Sequence, residues 1–346
     1  MGQVDRTRRI AVAAAYGGTG LGLAGALAAG LLMGQARLAR MTIPVAEAPP
    51  PRSDGRYGAD EPGEPLRMVM LGDSSAAGYG VEGAAQTPGA IIAGGLAQAL
   101  HQPVDLRCYA VVGATTAEIE PQVRRALAHR PAVAVLLCGA NDVTHMIKAP
   151  VAVGHLSDIV RTLRAAGAEV VVGTCPDLGT IRPIQPPLRW LARGLSRSMA
   201  AAQTIASVEA GARTVSLGDL LGPEFARSPD RMFGADRFHP SVEGYAAAAA
   251  AMLPSVIMAV SGPAEAVTPA GGPGLRSLPE AALEAAGNAG TEVSGAVVAG
   301  ADRGPAGRWA QLRRRVGHVV AKPNEAEPAG SAVPLREDPP APVEQT

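Results

Sequence analysis

Ser74 lies in the run Gly72-Asp73-Ser74-Ser75, directly after an apolar stretch. A serine on a tight turn at the top of a strand exposes its hydroxyl to a cleft, and a flanking glycine lets the backbone bend there. Such a hydroxyl becomes a useful nucleophile at neutral pH only with a base within hydrogen-bond reach. His239 is the candidate base, and Asp236, three residues earlier, can reach its other ring nitrogen within one turn of chain and fix the tautomer. Attack on an acyl carbonyl also needs donors aimed at the developing oxyanion, each commonly worth about 10²- to 10³-fold in rate. The backbone of Gly113 and the side-chain amide of Asn141, in Gly139-Ala140-Asn141-Asp142, stand after two further apolar runs. Each residue alone has a plainer use. A serine opening a helix is most often a cap, Asp-x-x-His is usually a surface or capping feature, Gly113 serves a turn, and Asn141-Asp142 caps a helix.

Stepping from these residues to what must hold them, residues 66 to 260 alternate short apolar runs with longer helical patterns. The strands fall at Met68 to Leu71, Val104 to Val112, Ala132 to Cys138, Glu169 to Thr174 and Thr214 to Leu217. Helices fall near Gly89 to Leu100, Thr116 to Ala128, Val151 to Ala166, Leu188 to Glu209 and Ser241 to Ala259. Unbroken runs such as Val133-Ala134-Val135-Leu136-Leu137 suit strands buried on both faces of a parallel sheet. The repeated order strand, helix, strand predicts a doubly wound α/β sandwich, in which ligands bind beyond the carboxyl ends of the strands. All the candidate residues fall at such ends or just before the final helix.

The flanks have a different composition. Of the 346 residues 47% are hydrophobic but only 3% aromatic, so the core must be built from Ala, Val, Leu and Ile. The formal net charge is zero, which removes the field a dedicated nucleic-acid binder would use, and no nucleic-acid partner is implied. The three cysteines, Cys108, Cys138 and Cys175, each close an apolar run without the paired spacing of a zinc site, and read as buried thiols. Residues 1 to 40 form a membrane anchor or signal segment. Arg6, Arg8 and Arg9 precede an uncharged stretch from Ile10 to Gly34, long enough to span a bilayer. An uncleaved anchor with the catalytic domain outside the cytoplasm is expected, and secretion after cleavage near Ala26-Leu27-Ala28 is the alternative. Gly18, Gly22, Ala26, Gly30 and Gly34 recur every four residues, a stripe that permits helix pairing into a dimer or arises by chance in so small-residue-rich a segment. Residues 41 to 65 read as a Pro/Gly-rich linker. Residues 261 to 346 have too few large apolar side chains to offset the ordering entropy of a fold and are expected to be mostly disordered. Within that tail, residues 308 to 322 have the spacing of a basic amphipathic helix, with a solvated charge run as the other reading.

Taken in order, Gly72-Asp73-Ser74, Gly113, Gly139-Ala140-Asn141-Asp142 and Asp236-x-x-His239-Pro240 resemble the four sequence blocks of the SGNH, or GDSL-type, hydrolase family. The resemblance covers the middle region and neither end. It implies a flavodoxin-like three-layer α/β/α sandwich with five parallel strands in the order 2-1-3-4-5, acting on esters without metal, nucleotide or other cofactor. It makes Ser74 the nucleophile and an oxyanion donor, Gly113 and Asn141 the rest of the oxyanion hole, His239 the base and Asp236 its orienting group, with Asp73 and Asp142 structural. Ser75 replaces the leucine of the family's name motif and is thereby a rival nucleophile. Thr174-Cys175-Pro176-Asp177-Leu178-Gly179-Thr180 is a further likeness, to exported actinobacterial members.

The expected activity is hydrolysis of carboxylic esters, small-molecule or lipid, through an acyl-serine intermediate. Ile184, Leu188 and Trp190, between the fourth strand and the long helix, are candidates for an acyl-chain groove or for packing that helix onto the sheet. The scarcity of aromatic surface favours short to medium acyl chains. Two other readings stay open: an acyltransferase or deacetylase acting on cell-envelope glycans through the same intermediate, and a non-catalytic binding module on the same scaffold.

Overall fold

The computed structural model describes residues 26–39, 41–42, 48–218, 228–261, 278–288 and 290–293. Its elements in chain order are α1 (Ala26–Ala39), β1 (Gly55–Tyr57), β2 (Leu66–Gly72), α2 (Ser74–Ala77), α3 (Pro88–Leu100), β3 (Val104–Cys108), α4 (Glu120–Ala128), β4 (Val133–Leu137), α5 (Ala140–Thr144), α6 (Ala149–Ala165), β5 (Glu169–Gly173), α7 (Leu188–Glu209), β6 (Arg213–Val215), α8 (Pro229–Met232), α9 (Val242–Ser261), α10 (Leu278–Gly287) and β7 (Glu292–Val293).

The protein is an α/β sandwich. The sheet order is β1-β3-β2-β4-β5-β6-β7, in which β3, β2, β4, β5 and β6 run parallel and the two outer strands are antiparallel. Strand alternation divides the side chains between two cores. Met68 and Met70 of β2 meet Val133, Val135, Val171 and Val215 under α3 and α9. Val69 and Leu71 face the other way, with Ala134, Leu136, Val170 and Val172, beneath α4 and α6. These strands are therefore apolar at successive positions because both faces are covered. Among the described residues one helix, α9, is long and apolar enough to cross a membrane, with a mean hydropathy of 1.6, but Tyr245, Ala249, Met252, Leu253 and Val256 bury it against the sheet and α3.

Two stretches differ from their expected character. Residues 41 to 65 are more than a linker: Gly55–Tyr57 adds an edge strand to β3, and Asp54 accepts the Cys108 N–H at 2.7 Å. The tail contributes α10, packed on α7, and β7, paired with β6. Glu292 of β7 is buried beside Arg213 at 2.8 Å and accepts from the Ser255 hydroxyl at 2.7 Å. The physical reason is small but sufficient: Ala281, Ala282, Ala285, Ala286 and Val293 bury completely enough to dock a short helix and cap the sheet edge. Residues 308 to 322, and Gly18 and Gly22 of the small-residue stripe, lie outside the described residues. Gly30 and Gly34, on α1, face open space. The end of α1 meets the domain. Gln35 donates to the Pro186 carbonyl at 2.6 Å and accepts from the Leu188 N–H at 3.1 Å, and Ala39 is buried near Leu178 and Ile184.

Candidate active site

The turn that carries Ser74 is fixed by close approach. Gly72 ends β2 with φ 134°, and a Cβ there would come within 1.9 Å of the Leu137 carbonyl oxygen on β4. Gln122 of α4, itself buried, clamps the same peptide: its amide accepts the Gly72 N–H at 2.8 Å and donates to the Gly72 carbonyl at 2.9 Å. Asp73 then caps α2 by accepting the Ser75 N–H at 2.8 Å, leaving Ser74 as the first helical residue. Burial pushes the Asp73 carboxyl up to about 6, although the Ser75 N–H and the nearby His239 hold it down.

His239 arrives from the loop before α9. Asp236 organises that loop: Oδ1 accepts the N–H groups of Phe238 and His239, both at 2.9 Å, while Oδ2 lies 2.6 Å from His239 Nδ1. Burial works against the Asp236 charge, but the His239 side chain and the Phe238 N–H outweigh it and leave its carboxyl below the usual range. Phe238 and Tyr79 meet the imidazole edge-on at centroid distances of 4.9 and 4.7 Å, and Tyr245 anchors Tyr79 through a 2.8 Å bond to its carbonyl. Held this way, His239 Nε2 is 2.9 Å from Ser74 Oγ. With Nδ1–H directed at Asp236, Nε2 is placed to accept a hydrogen bond from the Ser74 hydroxyl.

Asn141 and Gly113 also come together. The Asn141 Nδ2 donates to the carbonyl of Ala114, next to Gly113, at 3.0 Å, and an amide nitrogen carries a second hydrogen. Asp142 ties the two loops by accepting from the Thr116 N–H and hydroxyl, the latter at 2.7 Å. Gly113 itself has φ 83°, the left-handed region that favours glycine. It is Ser74, not Ser75, whose hydroxyl meets His239 Nε2, and Ser75 is among the residues lining a neighbouring cavity.

That cavity, about 70 Å³, lies beside His239 on the β5 side of the site. Leu137, Leu178, Ile181, Leu217 and Phe238 make most of its wall, with Thr174, Ala248 and His239 also lining it. Asp177, fully buried, pins the wall segment by accepting from Arg193 at 2.9 Å, Arg197 at 3.3 Å and the Gly179 N–H at 2.8 Å. Ile184, Leu188 and Trp190 are not among the lining residues. Ile184 is buried with Leu178 and Ile181, Leu188 packs at the edge of that cluster, and Trp190 is 67% exposed. The lining residues Leu137, Leu217, Phe238 and Ala248 had no distinguishing signal in sequence, being ordinary apolar positions. Among the described residues no cluster of His, Cys, Asp and Glu is arranged to hold a metal ion.

Against known proteins, the family model described as GDSL-like lipase/acylhydrolase matches residues 70–247. The GDSL-like esterase Rv1075c of Mycobacterium tuberculosis is 42% identical over 256 residues, 70% of this chain and 80% of that protein. Among solved structures, TesA aligns at 21% identity over 56% of this chain and 95% of its own, with a TM-score of 0.40. Axe2, an acetylxylan esterase from Geobacillus stearothermophilus, aligns at 17% identity over 56% and 95%, with a TM-score of 0.44.

Proposed function

The chain belongs to the GDSL-like lipase/acylhydrolase family and is a serine ester hydrolase, and from that premise we propose that Ser74 is its nucleophile, His239 its general base and Asp236 the group that orients the base. One observation carries the assignment: Ser74 Oγ, His239 and Asp236 form a continuous hydrogen-bonded line, 2.9 Å and then 2.6 Å long at its two joints. As Oγ attacks the ester carbonyl, its proton passes to Nε2 and the imidazolium is stabilised by the ionised Asp236. The carbonyl oxygen, now an anion, takes hydrogen bonds from the Ser74 and Gly113 N–H groups and from the second Asn141 amide hydrogen. Collapse expels the alcohol, which leaves with the proton from Nε2. Water then attacks the acyl-serine by the same route in reverse, with His239 again as base.

Short acyl chains are the favoured substrates. The cavity beside the triad, about 70 Å³, is roughly half the ~150 Å³ apolar cavity that accommodates benzene, so it suits about three or four heavy atoms. We also assign the apolar segment from Ile10 to Gly34 as a tether holding the catalytic domain at the outer face of the cytoplasmic membrane; the arginines ahead of it support this orientation.

The test of the nucleophile is covalent labelling by a serine-directed fluorophosphonate, read by mass spectrometry together with hydrolysis of 4-nitrophenyl acetate. Ser74→Ala should lose both label and turnover, whereas Ser75→Ala should keep most of both. The reverse pattern would move the nucleophile by one residue and overturn the oxyanion geometry with it.

A further inference from the structure

α1 does not simply trail from the apolar N-terminal segment to the catalytic domain. Leu32, Gln35 and Ala36 are partly covered and Ala39 is buried, while Leu31, Met33, Gly34, Arg37 and Leu38 are exposed. The covered positions follow the i, i+3, i+4, i+7 spacing of one helix face. That face lies at the entrance to α7: Gln35 bonds to Pro186 and Leu188, and Ala39 joins the cluster of Leu178, Ile181 and Ile184. Leu178 and Ile181 also wall the cavity beside His239. The helix is therefore seated on the loop after β5, at the carboxyl end of the sheet where Ser74, Asp236 and His239 stand.

The same end of the sheet exposes large apolar side chains. Val111 and Val112 adjoin Gly113 after β3, Met146 follows α5, and Val242 opens α9 three residues after His239. Trp190 and Leu191 stand in solvent on the first turn of α7, next to the Gln35 contact. Met258, near the far end of α9, is exposed away from this rim. Single exposed apolar residues need no explanation, but residues gathered around a binding face mark an interaction surface. Exposed charge on the same loops and on α1 leans basic, with Arg37, Lys148, Arg182 and Arg237 against Glu82 and Glu118. That balance suits an anionic headgroup layer.

Length points to the occupant. Ile10 to Leu31, the part of the apolar segment ahead of the covered face of α1, would rise about 33 Å as a helix, close to the roughly 30 Å hydrocarbon thickness of a bilayer. A span of that length leaves no slack chain before Leu32, so the rim on which α1 is seated meets the headgroups. Tryptophan suits that layer, having a large apolar ring and one N–H donor.

We propose that this rim is a docking surface for the phospholipid bilayer, with Trp190 and Leu191 inserted among the headgroups, and that the enzyme takes esters presented at the membrane surface by an amphiphilic alcohol. The inference rests on the tether reading and on ester hydrolysis at Ser74. A short acyl group carried on such an alcohol reaches the site without leaving the headgroup layer.

The experiment reconstitutes the full chain carrying Trp309→Phe, which leaves Trp190 as its one tryptophan, into vesicles of phosphatidylcholine and phosphatidylglycerol collected by flotation. Lipid brominated near the headgroup end of its acyl chains should quench most of the Trp190 fluorescence. Emission that is the same with and without bromine, from a chain that floats, would overturn the inference and keep the tether. Unquenched emission that changes with the protein-to-lipid ratio would assign the face to a second copy and overturn it equally. A chain that fails to float would bring down tether and inference together. In the full chain, Trp190→Ser combined with Leu191→Ser should lower kcat/KM for an acetylated diacylglycerol carried in the vesicles by at least about tenfold, from the lost apolar burial, and leave soluble 4-nitrophenyl acetate unchanged. An unchanged rate on the vesicle ester, or an equal loss on both esters, would also refute the docking role. Absence of turnover on either ester in the parent would instead sink the hydrolase reading, with the quenching still deciding the docking.

Discussion

Replacing Asp236 by Asn isolates the orienting role because it changes one atom and keeps the shape. In the native site Oδ1 accepts two backbone N–H groups, from Phe238 and His239, and Oδ2 faces Nδ1 at 2.6 Å. Those two donors require an oxygen, so the amide nitrogen of Asn must occupy the Oδ2 position and point its N–H at Nδ1. The imidazole then takes the other tautomer, with the proton on Nε2, and it donates to Ser74 Oγ instead of accepting from it. Flipping the amide would restore the tautomer but set an NH₂ against two N–H donors. At about 2 kcal/mol for each bond lost, that flip costs about 4 kcal/mol, a population near 10⁻³. The variant should therefore lose about 10³- to 10⁴-fold in kcat/KM for 4-nitrophenyl acetate, in line with the loss generally seen when a triad carboxylate becomes an amide. Thermal unfolding followed by circular dichroism should show an intact fold. Retention of more than a tenth of the parental kcat/KM would refute the tautomer argument and leave Asp236 as a loop-structuring residue only.

Asp73 makes a prediction about stability rather than rate. Its carboxyl rises from an ordinary 3.8 to about 6 in the folded state, so between those values the native protein binds more protons than the unfolded one and stability falls as pH increases. The loss is complete above about pH 6 and is of order 3 kcal/mol. Asp73→Asn, whose side-chain oxygen can still accept the Ser75 N–H, should remove this fall and raise the unfolding free energy at pH 8; an unchanged pH slope would show that Asp73 does not carry it. For the tether, ultracentrifugal fractionation of cells expressing the full chain should return it in the membrane pellet with the catalytic domain accessible to external protease. Recovery in the soluble cytosolic fraction would end that assignment.

The fold class and the candidate Ser74, Asp236 and His239 were legible because they leave marks that do not depend on three-dimensional context. Val133-Ala134-Val135-Leu136-Leu137 can only be apolar at every position if both faces are covered, and so it located β4 almost to the residue. Asp236 and His239 are close enough in sequence for local geometry to suggest their pairing. The edge elements left no such mark. β1 is three residues long and β7 two, and α10 buries chiefly alanines, so neither periodicity nor apolar content distinguishes them from the Pro/Gly/Ala-rich chain around them. Trp190 misled in the opposite direction, since the largest apolar side chain near the site stands in solvent while the cavity is lined by smaller residues from five separate segments.

The least legible residues are two glutamines, and they explain how the site holds its shape. Parallel strands must diverge at their carboxyl ends to open a cleft, and the ladder bonds that joined them run out there. Gln122 supplements them at Gly72, accepting its N–H and donating to its carbonyl, which also accepts the Val111 N–H at 3.1 Å. Gln203 of α7 does the same one strand over, accepting the Cys175 N–H at 2.7 Å and donating to the Cys138 carbonyl at 3.2 Å. Gly139, at φ 115°, is shaped around it: a Cβ there would lie 2.6 Å from the Gln203 amide nitrogen. In sequence each glutamine is an ordinary polar residue of an amphipathic helix, expected to face water. Burial of a side-chain amide is favourable only when its donors and acceptor are matched, and the backbone N–H and C=O groups at a strand end supply that match. One clamp therefore fixes the turn that presents Ser74, and the other fixes the strand ends that carry Asn141 and Thr174. Ser74, Asn141 and the cavity wall are held in register through backbone atoms, which leaves the side chains free to be chosen for chemistry.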